Sequence, residues 1–280
     1  MIATNGDCQL YYESFGDPSD PTLLLVNGLG SQCINYRDAW CEMFAARGLR
    51  VVRFDNRDVG LSTSFDGAPV DEQGAAYRLT GMAGDGIAVL DACGVEQAHV
   101  MGLSMGGMIV QTMAIEHAPR LATMTSVMSR TGEPGYGESS PEALACLLAP
   151  PAADRDGYVA GHVAGLRVWG SPAYADEKRW RDDAARAFDR AFNPDGVTRQ
   201  FFAVQASGAR ADGLRAVGVP TLVLHGDCDT LIDQSGGRRI AELIPGSRFE
   251  LIEGMGHDYP PQLWARWVDL VADHVLSWSG

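Results

Sequence analysis

The 280-residue chain is short of positive charge: 22 Lys and Arg stand against 36 Asp and Glu, for a net charge of −14. A surface of that sign repels phosphate backbones and anionic headgroups, so neither a nucleic-acid nor a membrane partner is expected, and the charge reads as solubility. Long apolar runs are missing as well. Leu23 to Val26 is typical of the longest and falls far short of a bilayer span. The first residues, Met1 to Asp7, lack a basic region followed by an apolar stretch, so no secretory leader is expected and the location reads as cytoplasmic. The six cysteines (Cys8, Cys33, Cys41, Cys93, Cys146, Cys228) include no C-x-x-C pair and read as reduced thiols. The six histidines are equally scattered, with no H-E-x-x-H spacing, so no metal and no cofactor are expected.

What is present is a punctuated alternation. Ile2 to Thr4, Asn5-Gly6 and Cys8 to Phe15 read as a β-hairpin, because Asn-Gly suits a type I′ turn. The short continuous apolar run at 22–26 has the character of a strand buried on both faces of a parallel sheet, and 49–54, 98–101, 124–128, 220–224 and 247–252 read as further strands. Helical stretches lie between them, at about 36–47, 82–93 (with Thr80 as its cap), 108–117, 237–243 and 263–277. Eight strands alternating with helices predict a doubly wound, mostly parallel α/β sheet.

The alternation breaks after Ser129. From 130 to 215 no buried strand is evident, and prolines punctuate short helical pieces. A stretch that long is implausible as a loop, so it is expected to be a helical cap inserted after strand 6. The expected division is a core of residues 1–129 and 216–280 and a cap of 130–215. Tyr158, His162, Trp169, Phe188, Phe192 and Phe201 are among the residues that give the insertion its apolar surface.

The chain is organised around Val100-Met101-Gly102-Leu103-Ser104-Met105-Gly106-Gly107. An apolar run, a turn with a serine flanked by glycines at minus two and plus two, and then a helix form the context that a strained nucleophile turn demands. Side chains at the flanking positions would clash where strand and helix come together. The Met105 N–H, at the helix start, is suited to a developing oxyanion. In an open α/β sheet ligands bind beyond the carboxyl ends of the strands. Asn27-Gly28-Leu29, Ser104, Asp227/Asp229 and His257 all fall at such ends, in the order Ser, Asp, His.

On these segments the chain resembles the serine hydrolases of the α/β-hydrolase fold over nearly its whole length. Gly102-Leu103-Ser104-Met105-Gly106 matches their nucleophile elbow, Gly226-Asp227-Cys228-Asp229 their acid loop, and Gly254-Met255-Gly256-His257 their histidine loop. Arg53 to Ser62, with Gly-Leu-Ser-Met-Gly, is similar to the branch that contains aclacinomycin methylesterase. The resemblance implies a catalytic triad of Ser104, Asp229 (the second aspartate of its loop) and His257, with an oxyanion hole made by the backbone N–H groups of Leu29 and Met105. Where the family usually has His-Gly after the third strand, this chain has Asn27-Gly28. The donor is a backbone group, so the hole survives the exchange, and Asn27 can anchor the loop through its side chain.

The expected activity is hydrolysis of small to medium hydrophobic carboxylic esters through an acyl-enzyme. The alternatives are lactone or thioester hydrolysis, C–C bond hydrolysis, cofactor-free perhydrolysis, and a ligand receptor without turnover. The expected partner is a small-molecule ester. Asn27, Cys33, His162 and Trp169 are the candidates for lining the substrate pocket, although a small buried thiol is the blander reading of Cys33. Asp227 reads as a loop brace, His225 as a packed histidine, Arg57 and Asp58 as structural ion pairs, and Asp258 as a solvated residue at a helix start.

Overall fold

A computed structural model describes residues 1–278. The chain opens with the hairpin, strands β1 (Ile2–Asn5) and β2 (Cys8–Phe15), turning at Gly6 with φ of 57°. There follow β3 (Thr22–Val26), α1 (Asp38–Ala45), β4 (Arg50–Phe54), α2 (Leu79–Ala92), β5 (Ala98–Leu103), α3 (Met105–Glu116) and β6 (Leu121–Val127). Five helices come next: α4 (Pro141–Leu147), α5 (Arg155–Trp169), α6 (Glu177–Arg190), α7 (Pro194–Ser207) and the short α8 (Ala211–Leu214). The chain then returns through β7 (Thr221–Gly226), α9 (Ser235–Leu243), β8 (Arg248–Ile252) and α10 (Trp264–Leu276).

The eight strands form one sheet in the order β1-β2-β4-β3-β5-β6-β7-β8. The hairpin pairs antiparallel within itself and onto β4, and every other pairing is parallel. This is the eight-stranded, mostly parallel α/β architecture expected from the sequence. Strands β3, β5, β6 and β7 are buried at every residue, which is why they are rich in apolar residues and carry no charged Asp, Glu, Lys or Arg. Successive side chains still part to opposite faces. Leu24 and Val26 join a core with Met82, Val89, Ile109 and Ile240, from α2, α3 and α9. Leu23 and Leu25 join a second with Trp40, Phe44 and Trp267, from α1 and α10. Trp40 is the centre of that second core, stacked on Tyr36 and edge-on to Phe44 and Trp267.

One expected helix signal fails. Thr80 does not cap α2; the helix begins a residue earlier, at Leu79, whose N–H donates to Ser207 Oγ at the end of α7 (2.9 Å). A tertiary contact supplies the acceptor that a local cap would have given.

The long excursion between β6 and β7 contains no strand. Its two ends meet: the Arg210 N–H donates to the Thr131 carbonyl (2.9 Å), and Arg210 Nη2 donates to that of Arg130 (2.8 Å). No helix is long and apolar enough to cross a membrane among the described residues.

Candidate active site

Three loops and one turn converge at the carboxyl edge of the sheet. The turn joins β5 to α3 at Ser104, whose φ of 56° is the left-handed geometry that L-residues avoid. The neighbours enforce it. A Cβ on Gly102 would strike the Gly106 carbonyl, and one on Gly106 would strike the carbonyls of Val26 and Asn27. Ser104 N–H donates to the Val127 carbonyl (2.9 Å), and Ser129 Oγ donates to the Ser104 carbonyl (2.8 Å), so β6 and the residue pair after it clamp the strained turn. The Ser104 side chain is half-buried, and Oγ makes no hydrogen bond among the described residues. Met105 is the first residue of α3, so its N–H has no partner within the helix.

Beyond β7, Asp229 is buried and fully engaged. Its Oδ1 accepts the N–H groups of Leu231 and Ile232 (both 2.9 Å), and its Oδ2 stands 2.7 Å from His257 Nδ1. Burial by itself pushes the carboxyl up. The charge of His257 and hydrogen bonds from His225 and His257 outweigh it and hold Asp229 down at about 2. His225 is fully buried; its Nε2 meets the Ile232 carbonyl at 2.8 Å and lies 3.5 Å from Asp229 Oδ2. Asp227 is exposed and accepts the Gly254 N–H (2.7 Å), bracing the loop that carries His257.

On the other side of β5, the turn after β3 is built from polar contacts. Asn27 Nδ2 donates to the Gln32 carbonyl (3.0 Å), the anchoring that the exchange of His for Asn left open. Asp55, at the end of β4, accepts the N–H groups of Cys33 (2.6 Å) and Leu61 (2.9 Å) and pairs with Arg190 of α6 (2.8 Å). Gln200, buried on α7, accepts the Gly30 N–H (2.9 Å) and donates to the Arg57 carbonyl (2.7 Å). Gln32 donates to the carbonyls of Ala187 (2.7 Å) and Ala191 (2.9 Å). The excursion thus holds the turn at three points. Arg57 pairs with Asp85 (2.6 Å) and Asp58 with Arg199 (2.7 Å), structural ion pairs as expected.

An apolar cavity of about 360 Å³ opens beside this turn, between Leu29 and Gly30 on one side and α7 and the end of α4 on the other. None of the four residues expected to line the substrate pocket lines this cavity, and neither do Ser104 and His257. Asn27 is buried in its anchoring bond. Cys33 is wholly buried under Arg190, and burial beside Asp55 pushes its thiol well up. His162 faces α6, near Asp183 and Arg179, and burial pushes its imidazole down. Trp169 lies on the opposite side, its carbonyl accepting the His257 N–H.

Asp258 departs from its expected role. It is not a solvated helix start: its Oδ1 accepts both the N–H (2.8 Å) and the hydroxyl of Ser171, whose Oγ in turn accepts the Gly256 N–H (2.9 Å). Burial raises this carboxyl above the usual range despite the bonds from Ser171. The sequence carries no local sign of the clasp, because Ser171 lies far away on the excursion.

The alpha/beta hydrolase fold family matches residues 21–259, and the chain belongs to it. Over 92% of both chains it is 30% identical to the rhodomycin D methylesterase DauP of Streptomyces sp. (strain C5), and likewise to DnrP, the same-named protein of Streptomyces peucetius. Among solved structures it superposes on the enol-lactonase from Burkholderia xenovorans LB400 with a TM-score of 0.79, over 99% of this chain and 100% of that one, at 23% identity.

Proposed function

We propose that the protein is a carboxylic-ester hydrolase acting through Ser104, His257 and Asp229. His257 Nε2 takes the Ser104 proton as Oγ attacks the ester carbonyl carbon. The resulting oxyanion is held by the backbone N–H groups of Leu29 and Met105. When the intermediate collapses, His257 returns the proton to the departing alkoxide, and the acyl group stays on Ser104. A water, deprotonated by His257, then attacks the acyl carbon and releases the acid. Asp229 fixes the imidazole with Nδ1 protonated and balances its transient positive charge.

The observation that carries this reading is the 2.7 Å pairing of Asp229 with His257, on the same sheet edge as the strained Ser104. The two methylesterase relatives favour an ester as the substrate. The excursion between β6 and β7 acts in this reading as the cap, residues 130–215 over a core of 1–129 and 216–280.

The test is hydrolysis of p-nitrophenyl esters by wild type and Ser104→Ala side by side, with a fluorophosphonate probe on both. Turnover and labelling by wild type alone support the serine-esterase reading. Equal hydrolysis by Ser104→Ala removes it.

A further inference from the structure

A chain of buried polar groups runs behind the serine turn. Gln111, two turns down α3 from Ser104, is fully buried, and Ser126 of β6 and Ser129 just beyond it are buried too. Gln111 Nε2 donates to Ser126 Oγ (3.3 Å) and Ser129 Oγ (3.4 Å), and its Oε1 accepts Arg210 Nε (3.1 Å). Ser129 Oγ in turn donates to the Ser104 carbonyl (2.8 Å). The third glycine of the turn makes room for this last link: a Cβ on Gly107 would strike the Ser129 side chain.

The chain starts at a charge. Arg210, where the excursion rejoins the core, is buried; its donors go to the Gln111 amide and to the carbonyls of Gly208 (3.2 Å) and Arg130 (2.8 Å). No carboxylate pairs with it among the described residues. Burial, with Arg130 nearby, pushes its guanidinium down to about 10, which leaves it charged at neutral pH. A buried cation without a counter-charge is costly, and neutral groups would tie two ends of a segment together as well. Every bond from Arg210 through Gln111 and Ser129 to Ser104 runs in the same donor-to-acceptor sense, so each polarises the next.

The final acceptor belongs to the Ser104–Met105 peptide, whose N–H is the oxyanion donor of the mechanism above. A peptide unit is rigid and trans, so holding its oxygen fixes the line of its N–H. Drawing electron density toward that oxygen also leaves the N–H more positive. We infer that Arg210, Gln111 and Ser129 are positioning residues of the oxyanion hole, which aim and strengthen the Met105 N–H from behind, through the Ser104 carbonyl. This rests on the ester-hydrolase reading above. It gives the excursion a hold on each half of the hole: Gln200 on the turn that carries Leu29, Arg210 on the peptide that carries the Met105 N–H.

The experiment is a double-mutant cycle read three ways: kcat and KM on p-nitrophenyl butyrate, the rate of fluorophosphonate labelling at Ser104, and the acid limb of the pH profile. Ser129→Ala is expected to lower kcat and the labelling rate about tenfold with KM within about twofold, because the donor matters most once the oxyanion forms. Arg210→Met is expected to cost about fivefold, and Arg210→Lys, which keeps the charge, only about twofold. Ser129→Ala combined with Arg210→Met is expected to lose no more than Ser129→Ala alone, since the charge then has no route to the carbonyl. Should Arg210→Met fail to fold, Gln111→Met, which breaks the chain one link later, makes the same cycle with Ser129→Ala. The acid limb is expected to stay in place in every variant, because the triad is untouched. Losses that multiply in the double variant, a displaced acid limb, or a lower Tm with kcat and labelling unchanged overturn the inference and leave the esterase reading intact. A wild type that neither hydrolyses esters nor takes the probe removes both.

Discussion

Gln200 Oε1 accepts the backbone N–H of Gly30 at 2.9 Å, so a buried side chain on α7 sets the turn that carries Leu29. With its amide nitrogen on the Arg57 carbonyl, Gln200 ties the loops after β3 and β4 to the excursion. Gln200→Leu leaves one donor and one acceptor unpaired, a cost of about 1–3 kcal/mol. The expected outcome is a kcat lowered about tenfold with KM changed less, because the turn is asked for most in the transition state. Gln200→Glu, which keeps the acceptor for Gly30, is expected to recover part of kcat. Steady-state kinetics of both variants decide it; a loss confined to KM sinks the idea.

Asp229 and Asp227 stand two residues apart and do different things. Asp229→Asn is expected to lower kcat by about 10⁴, because the amide presents the wrong partner to His257 Nδ1. Asp227→Asn loses only part of a loop brace and is expected to retain most activity, with a Tm a few degrees lower. Kinetics and melting curves on the pair separate the roles, and the reverse ranking moves the acid to Asp227.

Because Asp229 is held down at about 2, it remains a carboxylate across the working range. In the proposed mechanism, any loss of rate on going from neutral to mildly acid solution then belongs to a histidine base and not to its carboxylate partner. A kcat/KM profile with one falling acid limb is expected; a flat profile down to pH 4 speaks against a histidine base.

Stability has its own acid dependence at the amino end of the central strand β5. Burial, with His274 adding to it, pushes His99 down from 6.5 to about 4. Between those values the unfolded chain binds a proton that the folded protein refuses. Stability is thus intact above about pH 6.5 and lost as pH falls toward 4, by up to about 1.4 kcal/mol per pH unit. Urea unfolding at pH 7.5 and 5.0 is expected to show a smaller drop for His99→Gln than for wild type; equal drops mean that the imidazole is not the group responsible.

Ser171 and Asp258 form the clasp between the excursion and the histidine loop. Ser171→Ala removes the acceptor for Gly256 N–H and the hydroxyl donor to Asp258. Faster hydrogen exchange at the Gly256 amide is expected, together with a lower kcat/KM. Unchanged exchange there would show that the backbone bond from His257 to Trp169 suffices.

The fold and the serine turn were legible because their signals are local. Glycines at 102 and 106 and the fully buried, mostly apolar β3 and β5 follow from backbone collisions and burial on both faces, which leave a mark in a few adjacent letters. The pairing of Asp229 with His257 was readable only through the resemblance, since spacing alone leaves two aspartates open. The contacts of the excursion were not readable. Gln200, Arg190 and Ser171 look like ordinary polar residues of amphipathic segments, and only the folded chain brings them to Gly30, Asp55 and Asp258. Asn27 and Cys33 stood out by their nearness to the turn after β3, and His162 and Trp169 as members of the insertion's apolar surface; neither signal says which way a side chain faces once the chain is folded.

The meeting of Arg210 with Arg130 and Thr131 has a consequence for how such a chain changes over generations. Because the excursion leaves the sheet and rejoins it at one point, β6 and β7 pair as if it were a short link. A lineage can lengthen, shorten or recombine it while the sheet keeps its register. The freedom has one condition: an incoming segment must bring its own partner for the Gly30 amide, or the chemistry it was meant to redirect is weakened instead.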